Sequence, residues 1–222
     1  MTFIGYTYYY GYGVPPDHFE AFKWFQKAAD SGYLPAQGSL GNCYEHGYGV
    51  AKNQKTAVEL YRKTAEQGYV PTQCYLGWCY ENGKGVDKNI RTAIGLYRKA
   101  ADQGFAAAQY ALGVCYHYGR GVREDHGEAL SWYWKAALQD YAPAQSAVGS
   151  WFFRAKDYPE AVRWYRKAVD QDEVSAQFML GLCYEMELGV PKNLDKAIEL
   201  YRLAAKQGNE DAQKALQRLE KE

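Results

Sequence analysis

The chain has no stretch approaching the ~18 consecutive apolar residues that cross a bilayer, and its opening, MTFIGYTYYYGYG, has neither the basic segment nor the apolar core that directs export. It also lacks an excess of charge of either sign: Lys and Arg number 26, Asp and Glu 26, and no basic or acidic run occurs. This balance gives no attraction to nucleic acid or to an anionic membrane, and direct membrane insertion is not expected. No Asn-x-Ser/Thr acceptor is present, and the five cysteines are an odd number in a chain without an export signal. Free thiols in a reducing compartment, and so a cytoplasmic location, are expected. The four histidines, His18, His46, His117 and His126, lack metal-ligand spacing, and no Ser/His/Asp or Gly-x-Ser-x-Gly pattern stands anywhere. No catalytic residue, metal or cofactor is therefore expected; His46 and His117 should lie near the ends of helices, and His18 and His126 in solvent.

What the chain has in abundance is tyrosine and glycine, 22 of each in 222 residues. The bias comes from repetition. CYENGKGV at 79–86 returns as CYEHGYGV at 43–50, CYHYGRGV at 115–122 and, altered, CYEMELGV at 183–190, after a first copy YYYGYGV at 8–14. Ala36, Thr72, Ala108, Ala144, Ala176 and Ala212, each followed by Gln, mark one register with steps of 36, 36, 36, 32 and 36 residues. A phosphate-binding loop needs its glycines between a strand and a helix. Here the loop recurs, and its central residue varies among Tyr48, Lys84 and Arg120, so it reads as a structural turn.

Four units open with a Leu-Gly pair and an aromatic three residues after the glycine, as in Leu76-Gly77 with Tyr80, and five continue with an Ala and a Tyr four apart, as in Ala93 with Tyr97. Both spacings are helical. Asp17, Asn53, Asn89, Asp125, Asp157 and Asn193 stand where N-caps of the second helices belong. Gly32, Gly68, Gly104 and Gly208, with Asp140 and Asp172, fall where left-handed C-caps belong. A single helix pair cannot bury its apolar stripe, so the pairs must stack. The expected fold is all-α: a right-handed α-solenoid superhelix of about six stacked antiparallel helix pairs plus a C-terminal capping helix. It is expected as one repeat domain over 1–222, with units 1–35 (partial), 36–71, 72–107, 108–143, 144–175 and 176–211 and a cap at 212–222.

These residues closely resemble the Sel-one-like repeat family, a relative of the tetratricopeptide repeat, whose pattern is approximately Ala-x-x-x-Leu-Gly-x-x-Tyr-x-x-Gly-x-Gly-Val, an Asp, then Lys-Ala-x-x-Trp/Tyr-Tyr-x-Lys-Ala-Ala. The third unit matches from Leu76-Gly77 to Ala100-Ala101. The fifth departs from it, with a shorter loop between Val148-Gly149 and Ala161 like that of a plain tetratricopeptide repeat. The resemblance implies an adaptor that holds protein partners, not an enzyme. Cysteine-rich bacterial members, some linked to β-lactam binding, carry a cysteine in both helices of a pair. Here Cys43, Cys79, Cys115 and Cys183 share one first-helix position facing the partner helix, Cys74 stands apart as a partly exposed thiol, and no second helix has one.

In stacked helix pairs the first helices line the concave face. Counted from the Leu-Gly pair, the residues expected to meet a peptide or a partner helix there are Tyr6, Tyr9 and Tyr10; Asn42, Glu45 and His46; Trp78, Glu81 and Asn82; Tyr110, His117 and Tyr118; Phe153 and Arg154; and Phe178, Glu185 and Met186. The stripe is aromatic and carries few charges, as contact surfaces do. Two other readings stand beside the adaptor: a β-lactam-binding or hydrolysing enzyme, and a structural module that self-associates through an N-terminal half-unit exposing Ile4 and nearby tyrosines.

Overall fold

The computed structural model describes residues 1–219, and among them every regular element is a helix. The helices are α1 (Thr2–Tyr10), α2 (His18–Asp30), α3 (Leu34–His46), α4 (Gln54–Glu66), α5 (Val70–Asn82), α6 (Ile90–Ala101), α7 (Ala106–Tyr118), α8 (His126–Ala137), α9 (Ala142–Arg154), α10 (Tyr158–Val169), α11 (Val174–Met186), α12 (Leu194–Lys206) and α13 (Glu210–Leu219). They form stacked antiparallel pairs in the manner of an α-solenoid, closed by α13 as a capping helix. The chain gathers into two compact units, Met1–Ala108 with Arg120–Val122, and Gln109–Gly119 with the chain from Arg123 onward. The first holds the pairs α1/α2, α3/α4 and α5/α6; the second holds most of α7 with α8, then α9/α10, α11/α12 and α13. On α13 the faces divide as its pattern predicts, with Ala212 and Ala215 buried beside Tyr201 and Ala204. Residues 220–222 of the expected cap lie outside the described residues.

The second helices start where their caps are written. Asp17 accepts from the amides of Phe19 and Glu20, and Asn53, Asn89, Asp125, Asp157 and Asn193 accept from the amide three residues on. Each such bond stabilises its helix by about 1 kcal/mol. The first helices α3, α5 and α9 lack side-chain caps and carry Pro35, Pro71 or Pro143 in the first turn, where no amide is needed. Past the second helices the chain turns through left-handed backbone at Gly32, Gly68, Gly104 and Gly208, and at Asp140 and Asp172 with φ of 58° and 59°.

Inside each pair, an aromatic ring of the second helix packs against the glycine that follows Leu, or Ile4 and Val148 in the first and fifth pairs, on the first helix. A Cβ on Gly77 would stand 2.8 Å from the Tyr97 ring, and Gly5, Gly41, Gly113, Gly149 and Gly181 are covered in the same way by Phe25, Tyr61, Tyr133, Tyr165 and Tyr201. Tyr61, Tyr97, Tyr165 and Tyr201 are at most 2% exposed. Cys43, Cys79, Cys115 and Cys183 fill the core beside them, as small apolar side chains do.

A polar ladder ties one pair to the next. The Gln73 amide donates to the carbonyl of Ala65, at the end of the preceding pair, and accepts from Gln103, at the end of its own. In the second unit Gln145 donates to Ala137 and accepts from Gln171, and Gln177 accepts from Gln207. Gln73, Gln145 and Gln177 are fully buried, so each of these bonds is one whose loss would leave a dry polar group. The glycine loop adds a steric tie: at Gly85, with φ +70°, a Cβ would meet the carbonyl oxygen of Gln54 at 2.3 Å. The loop is therefore packed against the start of α4. In the fifth unit only residues 155–157 separate α9 from α10, and Lys156 takes the left-handed conformation instead of a glycine.

Two glycine substitutions of opposite sign check this packing. Gly77→Ala is expected to destabilise the protein by about 1–3 kcal/mol in urea unfolding, because the ring of Tyr97 must move. Gly95→Ala, in the exposed side of α6 with no atom within 4 Å of the new Cβ, should stabilise by about 0.5–1 kcal/mol through helix propensity alone.

Candidate partner-binding cavities on the first helices

Each unit has a cavity on its first-helix side. In the first unit it has a volume of about 320 Å³ and is lined by Tyr6, Tyr9 and Tyr10 of α1, by Pro35, Gly38, Ser39 and Asn42 of α3, and by Tyr69, Pro71, Thr72 and Tyr75 at the start of and along α5, with Phe25 and Tyr61 behind. The lining contains no Asp, Glu, Lys, Arg or His. Tyr6 and Tyr10 stack at 6.0 Å, and Tyr75 stacks on Tyr61 at 5.6 Å. The hydroxyl of Tyr6 bonds to Ser39 Oγ at 2.8 Å, and Tyr9 donates to Asn42 Oδ1 at 3.1 Å. Burial, with neighbouring phenols, pushes the Tyr9 hydroxyl up to about 12. Its proton stays on.

In the second unit the cavity measures about 250 Å³ and is lined by Tyr110, Val114, His117 and Tyr118 of α7, by Pro143, Ser146, Ala147, Ser150, Trp151 and Arg154 of α9, by Glu173 and Ser175, and by Tyr133. Beside three serines it carries three chargeable side chains, His117, Arg154 and Glu173. Glu173 caps α11 by accepting from the amide of Ala176 at 2.6 Å. His117 lies 5.1 Å from His126 and 4.6 Å from Tyr118, ring to ring. Partial burial, then Arg154 and His126, lower the pKa of His117, against an opposing pull from Glu124.

Of the residues expected on the binding face, Tyr6, Tyr9, Tyr10 and Asn42 meet in the first cavity and Tyr110, His117, Tyr118 and Arg154 in the second. Trp78, Asn82, His46 and Met186 are exposed but line neither. Phe178 packs on Tyr201 and Phe153 on Tyr158, so both serve the interior. The structure differs most at the glutamates. Glu45 is 8% exposed and accepts from the buried Tyr61 hydroxyl at 2.8 Å, rather than pointing outward. Glu81 and Glu185 accept from Tyr97 and Tyr201 in the same way, and each also pairs with an arginine further along the chain, Arg120 or Arg218. The ring that covers the glycine brings a phenol into the core, and the residue five after the leucine answers it. His18 differs too: expected in solvent, it lies half-buried between Tyr9 and Tyr48, 5.3 and 4.7 Å away. His126 is exposed and pairs with Glu124.

Sequence reasoning missed Ser39, Tyr69, Tyr75, Ser146 and Trp151. A signal was available: Pro35, Gly38, Ser39 and Asn42 are spaced i, i+3, i+4, i+7, one helical face, and an aromatic recurs at 33, 69, 105 and 141, just before each first helix. Counting mainly forward from the Leu-Gly pair passed over the opening turns of these helices.

With this geometry in place, comparisons with known proteins are decisive for the family. The family model described as Sel1 repeat matches residues 1–33, 34–69, 70–105, 106–141, 142–173 and 174–209. The chain belongs to the Sel1 repeat family. It is similar to the crystal structure of a protective antigen of uropathogenic Escherichia coli strains with this repeat fold, 36% identical, TM-score 0.83, covering 97% of this chain and 47% of that one. A Sel1 repeat protein from Oxalobacter formigenes is 32% identical with a TM-score of 0.81, covering 97% of this chain and 86% of that one. A curated relative, the DAP3-binding cell death enhancer 1 of Rattus norvegicus, is 50% identical over 42 residues, 19% of this chain and 8% of its own length. The chain thus spans about half the length of the first structure and a small part of the curated relative.

Sel1 and tetratricopeptide-like repeats are typically non-catalytic scaffolds for protein–protein interaction. Among the described residues no group of three or more His, Cys, Asp or Glu could hold a metal, and no helix is long and apolar enough to cross a membrane. The expectation of a cytoplasmic location is corrected: similarity over nearly the whole chain to a protective antigen points to an extracytoplasmic setting instead. The cysteine argument failed for a physical reason. Thiols that serve as core atoms in a repeat stay unpaired whatever the compartment, so their number reports packing.

Burial pushes the thiols of Cys43 and Cys183 up to about 11 and those of Cys74 and Cys79 up to about 12. At pH 8 these four should resist iodoacetamide in the native protein and react fully in guanidinium, as mass spectrometry of the alkylated chain would report. A second check concerns the buried phenol. Glu45→Leu should cost about 1–3 kcal/mol by stranding the Tyr61 hydroxyl, and adding Tyr61→Phe should recover part of the loss in denaturant unfolding.

Proposed function

We propose that this chain is a non-enzymatic adaptor that binds an extended peptide or a partner helix on its first-helix face, the face expected to be concave. The observation that carries the reading is that the first helices, not the second, supply most of the lining of a cavity in each unit. Tyrosine is the commonest lining residue of the first cavity, and Tyr110, Tyr118, Tyr133 and Trp151 line the second; such side chains give large contact area at low entropic cost with a polar tip. Tyr10, Tyr75, Trp78 and Tyr118 are 57, 47, 39 and 61% exposed, more than stability alone asks of aromatic residues. The name of the curated relative, which specifies binding to another protein, is in keeping with such a role.

The test is affinity capture from the native lysate with quantitative mass spectrometry, wild type beside Tyr10→Ala/Tyr75→Ala and Tyr118→Ala. A partner enriched by the wild type should be depleted at least about tenfold by one of these chains, the loss expected when an aromatic anchor is removed, while circular dichroism stays unchanged. Equal capture by all three would reject this face.

A further inference from the structure

We infer that the cavity of the first unit takes an uncharged, proline-rich segment of a protein partner in the polyproline II conformation. The inference rests on the first-helix face being the binding surface, and it follows from which polar groups in that cavity are already engaged.

Ser39 donates its hydroxyl hydrogen to the carbonyl of Pro35, so Tyr6 must be the donor in its bond to Ser39. Tyr9 donates to Asn42, Thr72 to the carbonyl of Tyr69, and Tyr61 to Glu45. The hydroxyl of Ser39 and the side-chain carbonyl of Asn42 thereby each accept a bond from within. The groups that make no hydrogen bond among the described residues are the hydroxyls of Tyr10, Tyr69 and Tyr75 and the amide NH₂ of Asn42, and all of them can donate. The cavity holds no carboxylate and no free carbonyl among its lining side chains. A ligand suited to it has many acceptors, few donors and no charge.

Proline-rich backbone meets that description. Each proline offers a carbonyl and no N–H, and the polyproline II helix leaves its carbonyls unpaired and pointing outward. Its pyrrolidine rings are flat apolar surfaces that lie against aromatic walls, which here are Tyr6 stacked with Tyr10 on one side and Tyr75 stacked on Tyr61 on another. A glycan, the other ligand that stacks on aromatic rings, brings many hydroxyl donors, for which the lining offers phenol oxygens but no carboxylate and no unengaged side-chain carbonyl. An acidic peptide finds no cation in it. The cavity of the second unit, with Arg154, His117 and Glu173, has a different chemistry, so the preference belongs to the first unit alone.

The experiment is calorimetric titration of the whole chain with a ten-proline peptide blocked at both ends, beside a glycine–serine peptide of equal length and a chitin hexasaccharide. The oligoproline should bind saturably, and its affinity should change less than about twofold between low and high salt because no charge is engaged. Tyr10→Phe/Tyr75→Phe, which keeps the rings and removes two donors, should weaken it about tenfold or more. Three results would overturn the inference: no binding of oligoproline, equal binding by the Tyr10→Ala/Tyr75→Ala chain, or binding of the hexasaccharide in its place. If oligoproline fails while the same alanine chain loses its captured partner, the ligand class falls and the face stands. If capture is also unchanged, both fall.

Discussion

The fold rests on one contact made in every pair: an aromatic ring laid across a helical glycine. Glycine in a helix costs about 0.5–1 kcal/mol relative to alanine, and here it appears at Gly5, Gly41, Gly77, Gly113, Gly149 and Gly181, always under Phe or Tyr. The missing Cβ lets the two helices of a pair close up until a ring of the second fills the space over the first. Burial of a whole aromatic side chain returns about 1.5–3 kcal/mol, so the exchange is favourable at each pair. It also sets the pitch of the pair, because ring and glycine must stay in register.

Much else follows from that ring being a tyrosine. Its hydroxyl is carried into a dry region and must be answered. Glu45, Glu81 and Glu185 accept it in three pairs, and Ser150 does so for Tyr165. In the first pair the ring is Phe25, which has no hydroxyl, and the residue in the glutamate's position is Tyr9, free to bond to Asn42 instead. The replacement of Tyr by Phe and of Glu by Tyr thus occurs together. Tyr9 itself lines the first-unit cavity, whose walls carry no acid or base.

Helix type, caps and register were legible in the sequence because they depend on local chemistry repeated at fixed spacing. Asp157 caps α10 for the same reason that Asn89 caps α6, and one copy corroborates another. The role of Gln73 was not legible. Its neighbours Ala65 and Gln103 lie 8 residues before it and 30 after it, and only stacking brings a chain end of each pair onto the same amide. The glutamates misled for a related reason. A carboxylate at the end of a half-polar helix reads as solvated unless the hydroxyl it meets, 16 residues away on the second helix, is known to be buried. Cavity-lining residues were anticipated where the face continued from the Leu-Gly pair and passed over where it ran back through Pro35, Ser39 and Tyr75.

Scaffold and site therefore occupy different positions of the same repeat. The helical glycine, its covering ring and the second loop glycine at Gly49, Gly85, Gly121 and Gly189 are bound to packing, and a Cβ at any of these glycines would move a neighbour. Of the positions held by Pro35, Gly38, Ser39 and Asn42 in α3, Gly38 faces Thr72 and the ring of Tyr69, 3.2 and 3.3 Å from a Cβ placed there, and Ser39 and Asn42 bond to Tyr6 and Tyr9. Their counterparts in α9 are Pro143, Ser146, Ala147 and Ser150, with Arg154 one turn on. The same backbone frame thus carries a neutral tyrosine-walled cavity in one unit and a charged one in the other. The chemistry of the two cavities therefore differs while the ring-on-glycine contact and the helix caps stay the same.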